Sequence, residues 1–134
     1  MRHSAKLTPS HARRARHFFT ESARVLEGAD AWRAGDEQAF GKLMRASCLS
    51  SINDYETGCP EMIRLVECLN EASGVWGARF CGAGFRGCCI ALVEPDKVER
   101  ILEEVIERYL SDYPQYAEGV WGIRATPCHG LRSL

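Results

Sequence analysis

The chain lacks an excess of charge of either sign. Seventeen Lys and Arg stand against 18 Asp and Glu, a formal net charge of −1, so no global field pulls it toward nucleic acid or an anionic membrane surface. No apolar run approaches the roughly 20 residues that span a bilayer, and the start carries no signal-peptide h-region. The seven cysteines include no CxxC pair, which argues against a thioredoxin-like motif or a zinc ribbon. Their odd number and their apolar positions point to reduced, mostly buried thiols in a cytoplasmic setting, not to a disulfide framework. The four histidines, His3, His11, His17 and His129, have no spacing to Ser, Asp or Cys that suggests nucleophilic catalysis, and no metal-ligand pattern is present. No Asn-Gly or Asp-Gly step marks a two-residue hairpin.

What is present suits one domain. A length of 134 residues, 46% hydrophobic and 26% charged, can bury a core of its own. Thr8-Pro9 reads as an N-cap and first helical position. Ala12, Ala15, Phe18, Val25, Ala29 and Trp32 then recur at helical spacing until Gly35. The basic residues before Glu21 read as an exposed face of this helix in preference to a transit peptide. Asp36 caps a second helix striped by Phe40, Leu43, Met44, Ser47, Cys48 and Ile52. Residues Asn53 to Gly58 read as a polar connection, and Pro60 opens a third helix. Pro95 is expected to start a last helix, and Pro114 forbids its continuation.

Two short apolar runs, Val75–Cys81 and Cys88–Val93, read as antiparallel strands. Val120–Ala125 alternates enough to be a third. In a strand, Cys88 and Cys89 face opposite ways and act as small hydrophobes. The expected order is three helices, two strands, a helix and a strand: an α+β fold in which helices cover a small antiparallel sheet.

Between the strand runs lies Gly82-Ala83-Gly84-Phe85-Arg86-Gly87, with three glycines in six positions. This is longer and more glycine-dense than a hairpin needs. The functional alternative is an anion cradle of converging backbone N–H groups. No Gly-Lys-Ser/Thr follows, so it is not a Walker A loop. The GxGxxG spacing is met, but a strand follows where a Rossmann turn needs a helix.

Several segments, taken in order, carry a resemblance. Gly77-Ala78-Arg79-Phe80-Cys81-Gly82-Ala83-Gly84-Phe85-Arg86-Gly87-Cys88-Cys89 resembles the third, C-terminal motif of the galactokinase branch of the GHMP sugar kinases. Arg14-Ala15-Arg16-His17, Gly35-Asp36 with Ala39 to Met44, and Asp54-Tyr55-Glu56 before Cys59-Pro60-Glu61 fall in that family's order and spacing. The similarity covers roughly residues 10–126, leaving a basic extension at 1–9 and a tail at 127–134. Phe85-Arg86-Gly87-Cys88-Cys89 is most similar to plant-type galacturonate kinases, since ordinary galactokinases tend to have glycine where Arg86 stands.

The resemblance implies the ferredoxin-like C-terminal domain of an ATP- and Mg²⁺-dependent sugar 1-kinase acting on galacturonate or galactose. By position it assigns Gly82, Ala83, Gly84, Phe85 and Gly87 to the nucleotide and Arg86 to the sugar. An Arg fork suits the carboxylate of a sugar acid; contact with a phosphate, or simple exposure to solvent, is the plainer reading of Arg86. Asp54, Tyr55 and Glu56 match the family but read as turn chemistry. The family's sugar-recognition motif, its Pro-x-x-x-Gly-Leu-Ser-Ser-Ser loop and its acidic catalytic residue are not in this chain, where Leu49-Ser50-Ser51 is only a faint echo. The chain is therefore expected to hold no catalytic residue and no metal ligand, and to be inactive without a partnering N-terminal kinase half. A non-catalytic nucleotide or sugar-phosphate binding module, or a self-associating structural fragment, is the rival expectation. Neither nucleic acid nor membrane is expected as a partner.

Overall fold

The computed structural model describes residues 7–126; most of the basic extension and the tail, with Cys128 and His129, lie outside them. Four helices and one two-stranded antiparallel sheet make up the fold. Helix α1 spans Pro9–Ala34. The Thr8 hydroxyl accepts the His11 N–H at 3.3 Å, and Gly35 ends the helix in the left-handed region at φ 67°, as glycine does at a helix C-terminus. The Asp36 carboxylate accepts the Ala39 N–H at 2.8 Å and starts α2, Glu37–Ser50. Helix α3 is Pro60–Glu71, with Pro60 in its first turn. Strands β1, Val75–Phe80, and β2, Cys89–Val93, follow, and then α4, Val98–Asp112.

The sheet lies between helices. One face carries Ala78, Phe80, Cys89 and Ala91, which pack with Cys48, Met62 and Val66 into one core cluster. A second cluster joins α3 to α4 through Cys68, Ala72, Ile101, Val105 and Tyr109. A bulge at Trp76 shifts the register between Val75↔Val93 and Gly77↔Leu92. The extra residue keeps Val75 on the core side with Ala78, and Val75 touches both clusters. Helix α2, whose Cys48 belongs to the first cluster, approaches the β1 backbone at Gly77. A Cβ on Gly77 would overlap the Gly41 carbonyl oxygen, and one on Gly41 would lie 2.5 Å from the Trp76 carbonyl carbon. Two backbones approach closely here because neither residue has a side chain. On the edge of β1 away from β2, the Asn70 amide takes the place of a third strand. It accepts the Ala78 N–H at 3.0 Å and donates to the Ala78 carbonyl at 3.2 Å, so a buried edge is satisfied.

Three expectations are corrected. Residues Ser51–Tyr55 form a π-helical turn continuing α2, so Asn53–Tyr55 are helical where the sequence suggests a polar connection from Asn53 to Gly58. It ends at Glu56, the one non-glycine residue with positive φ (64°) among those described. Pro95 does not start α4. It lies in a turn closed by the Lys97 N–H on the Glu94 carbonyl at 3.1 Å, where proline favours the second position. Val120–Ala125 forms no strand. That segment crosses α4, with Val120 on the second core cluster and Gly122 against Leu102, so its alternation meets no sheet edge. The apolar stripe of α1 is also left largely uncovered: Phe18 is 65% exposed and Val25 68%.

A polar link ties α1 to α2. The Ser47 hydroxyl donates to Glu21 at 2.6 Å, and Arg24 pairs with the same carboxylate. Burial raises the Glu21 pKa, but the Ser47 and Arg24 hydrogen bonds outweigh it and leave the carboxyl below its ordinary value. A carboxylate lowered by folding adds stability above its unfolded pKa and loses it as pH falls through the folded value. Urea unfolding should therefore show a shallower loss of stability for Glu21→Gln than for the parent chain below pH 4.5; parallel pH profiles would contradict the link. Gly77→Ala should cost roughly 2 kcal/mol or more through overpacking. Gly28→Ala is the control. Its Cβ would meet the Phe40 ring at an ordinary 3.5 Å, and the change should be neutral or stabilising by up to about 1 kcal/mol in urea unfolding.

Candidate functional site

The glycine loop closes the β1–β2 hairpin. The Cys81 N–H donates to the Cys88 carbonyl at 2.9 Å, one rung beyond Phe80↔Cys89. Gly82, Gly84 and Gly87 have φ of 104°, 75° and 102°, values that disfavour any side chain. Gly84 is the loop's buried residue; its five companions are exposed. A Cβ on Gly84 would stand 2.5 Å from the Phe80 ring, so the loop's middle lies directly on a core aromatic. A Cβ on Gly58 would also lie 3.0 Å from this ring.

A second element anchors the loop. The Cys59 N–H donates to the Gly84 carbonyl at 2.8 Å, and the Cys59 thiol donates to the Phe85 carbonyl at 3.3 Å. Cys59 is the N-cap of α3, so the loop is fixed through its carbonyl groups to a helix start. Its N–H groups are left over. Among the described residues, no backbone N–H from Gly82 to Gly87 donates a hydrogen bond to another residue. Six adjacent donors on an exposed loop suit an anion. Arg86 is exposed at its far side. Its charge reaches Glu61, whose carboxyl lies below the usual range chiefly through its own backbone N–H and the Cys59 thiol, with Arg86 adding a smaller pull.

The segment leading to Cys59 is held from α1. Glu56 pairs with Arg13, and with Arg14 at 3.2 Å, and Arg16 pairs with Asp54 at 3.2 Å. Arg13 and Arg14 together with the Ser10 hydroxyl keep the Glu56 carboxyl below its ordinary value. The Arg14–His17 and Asp54–Glu56 segments, far apart in sequence, meet here and support the loop from behind. Sequence reasoning missed a further cluster. His17 Nδ1 lies 3.0 Å from the Ser50 hydroxyl, which donates to Asp54 at 3.1 Å. Ser50 sits between the other two, so its oxygen accepts from His17 and is not deprotonated by it. This is a structural relay, with the Tyr55 ring 5.1 Å from His17. No signal in the sequence joins residues 17 and 50.

The thiols divide as follows. Cys48 and Cys68 are buried, Cys59 and Cys89 half-buried, and Cys81 and Cys88 exposed. Cys88 and Cys89 do diverge: Cys89 packs on the core, and burial pushes its pKa up to about 12. Among the described residues, no three His, Cys, Asp or Glu gather to hold a metal ion, and no helix is long and apolar enough to cross a membrane. An open apolar groove of about 630 Å³ lies away from the loop, between α1 and β2, lined by Val25, Ala29, Trp32, Phe40, Met44 and Ile90.

Known proteins match this arrangement. Residues 26–111 match the family described as GHMP kinases C terminal. The chain is 46% identical over 120 residues to a galacturonokinase of Arabidopsis thaliana, covering 90% of this chain and 28% of that protein. It is 44% identical over 97 residues to a galactokinase of Bos taurus, covering 72% of this chain and 25% of that protein. The crystal structure of Lactococcus lactis galactokinase complexed with galactose superposes with a TM-score of 0.76 at 37% identity, over 80% of this chain and 28% of that one. The chain thus spans about a quarter of the length of these relatives. With its glycine loop, its sheet and helices α2, α3 and most of α4 inside the matched region, the chain belongs to the family of GHMP kinase C-terminal domains.

Proposed function

We propose that the chain is the C-terminal part of an ATP-dependent kinase that phosphorylates galacturonate or galactose at the anomeric hydroxyl. The observation that supports this is the row of N–H groups from Gly82 to Gly87 that pair with no other described residue, in a loop anchored at the Gly84 and Phe85 carbonyls by Cys59. In phosphoryl transfer the protein mainly positions the reactants and stabilises charge on the phosphoryl oxygens. Backbone donors that need no rearrangement suit that task. Gly82, Ala83, Gly84, Phe85 and Gly87 take the nucleotide phosphates in this reading, within a domain spanning about residues 10–126. A bound Mg²⁺ would neutralise phosphate charge. In this reading its ligands come from the nucleotide phosphates and from another part of the enzyme.

Arg86 takes the sugar acid. It stands exposed beside the cradle, and its planar fork can meet a carboxylate in two parallel hydrogen bonds. The similarity to a galacturonokinase over most of the chain favours the acid over the neutral sugar. The remaining portion, which carries the base and the nucleotide loop of the family, docks in this reading on the uncovered apolar face of α1 and β2, where Trp32 is 53% exposed and Ile90 48%. The same cradle also favours a second reading, a non-catalytic binder of nucleotide or sugar phosphate, since its donors stand free without any partner.

Two outcomes follow. The chain by itself should transfer no phosphoryl group from ATP to galacturonate or galactose above the level of its Gly84→Val variant in a coupled ADP-release assay; clear turnover would overturn the division of labour proposed here. In a complete kinase carrying this domain, Arg86→Gly should reduce kcat/KM for galacturonate relative to galactose by roughly tenfold or more, the scale of one lost charge-assisted hydrogen bond. An unchanged preference would remove Arg86 from the sugar site.

A further inference from the structure

Cys81 and Cys88 bracket the glycine loop, and neither has a part in the function proposed above. They are opposite residues on the rung that extends the β1–β2 ladder, joined by the 2.9 Å hydrogen bond from the Cys81 N–H to the Cys88 carbonyl. Opposite residues of an antiparallel ladder project to the same face. Both side chains are exposed, and the proximity of Cys81 is among the causes that raise the Cys88 thiol pKa. At such a hydrogen-bonded pair the Cα atoms stand about 5.5 Å apart, inside the roughly 4.4–6.8 Å that a disulfide spans. The other described thiols do not compete. Cys48 and Cys68 are buried, the Cys59 thiol is turned to the Phe85 carbonyl, and Cys89 faces the core.

We propose that Cys81 and Cys88 form a dithiol–disulfide site that cinches the base of the glycine loop. The oxidant is a small-molecule disulfide. One protein thiolate attacks a sulfur of that disulfide, its S–S bond breaks, and one small thiolate leaves and takes up a proton. The second protein thiolate then attacks the mixed disulfide at the protein sulfur and expels the other small thiol. Two protein S–H bonds and one small-molecule S–S bond become one protein S–S bond and two small thiols, so two electrons pass from the protein to the oxidant. Closing the bond draws the paired Cβ atoms to about 3.8 Å. That tightens the two ends of the segment that presents the free N–H groups and couples its shape to the thiol redox state. Burial and the neighbouring Cys81 thiol hold the Cys88 thiol above its ordinary pKa, so exchange quickens at mildly alkaline pH.

The pairing itself is independent of what the loop binds, and its test reads bonds, not activity. The reduced chain is incubated with glutathione disulfide at pH 8, quenched with iodoacetamide, unfolded and digested with trypsin, which cuts after Arg79, Arg86 and Lys97. The expected product is a cross-link between peptides 80–86 and 87–97 that forms ahead of any other. It should persist in Cys89→Ser and disappear in Cys81→Ser and Cys88→Ser, each of which should instead take up a single glutathione at the remaining thiol. Because the Cys81 and Cys88 side chains are exposed, Cys81→Ser and Cys88→Ser leave the core untouched. Separate glutathione adducts on Cys81 and Cys88 in the parent chain, or a cross-link that survives in Cys88→Ser through Cys89, would overturn the proposal.

Discussion

The fold depends on one close approach, the backbone of α2 against the backbone of β1 at Gly41 and Gly77. No side chain fits between them. With a Cβ at either position the helix would stand off the strand, and Cys48 would leave the core it shares with Ala78 and Phe80. Protein interiors tolerate such displacement poorly because they are packed to crystal-like density. The contact therefore fixes where the helical pair α1–α2 lies relative to the hairpin that carries the loop. The bulge at Trp76 and the Asn70 clamp on Ala78 serve the same end. They let β1 keep its core face inward while its free edge is satisfied by a side chain.

From that base the loop is positioned by a chain of contacts. Phe80 is 3% exposed and belongs to the core, and Gly84 rests on its ring. Cys59 takes the carbonyl groups of Gly84 and Phe85. Cys59 is itself placed by the left-handed turn at Glu56, a conformation that costs a non-glycine residue on the order of 1 kcal/mol. The ion pairs of Glu56 with Arg13 and Arg14 are surface-exposed and individually weak, yet they converge on one strained residue and hold its orientation. The result is a loop with two of its carbonyl groups, those of Gly84 and Phe85, engaged by Cys59 and with no backbone donor from Gly82 to Gly87 paired among the described residues. That asymmetry favours an anionic ligand over a cation.

Much of this was legible in the sequence because it rests on local chemistry. Thr8-Pro9, Gly35-Asp36 and Pro60 mark helix ends through capping and fixed φ, which need no tertiary partner, and Pro114 marks the end of α4 for the same reason. The glycine loop announced itself by composition. What was missed depends on distant contacts. Val120–Ala125 alternates like a strand, but alternation forms a strand only where an edge is free to pair. Pro95 fits both a helix start and the second position of a turn, and the Glu94–Lys97 pairing decides for the turn. The π-helical turn after α2, the meeting of His17 with Ser50 and Asp54, and the facing thiols of Cys81 and Cys88 join residues that no periodicity connects. The apolar stripe of α1 is largely exposed. Its periodicity is real, but periodicity does not say whether the covering partner lies within the same chain.

The central claim is that the loop from Gly82 to Gly87 holds nucleotide phosphates by its backbone. The most direct test is a crystal structure of a complete kinase carrying this domain, bound to a non-hydrolysable ATP analogue and galacturonate. The account predicts phosphate oxygens within about 3 Å of loop nitrogens, the ordinary N–H···O distance, with the Cys59 contacts to Gly84 and Phe85 retained. A nucleotide bound elsewhere, with the loop N–H groups turned to solvent or to protein carbonyls, would contradict it.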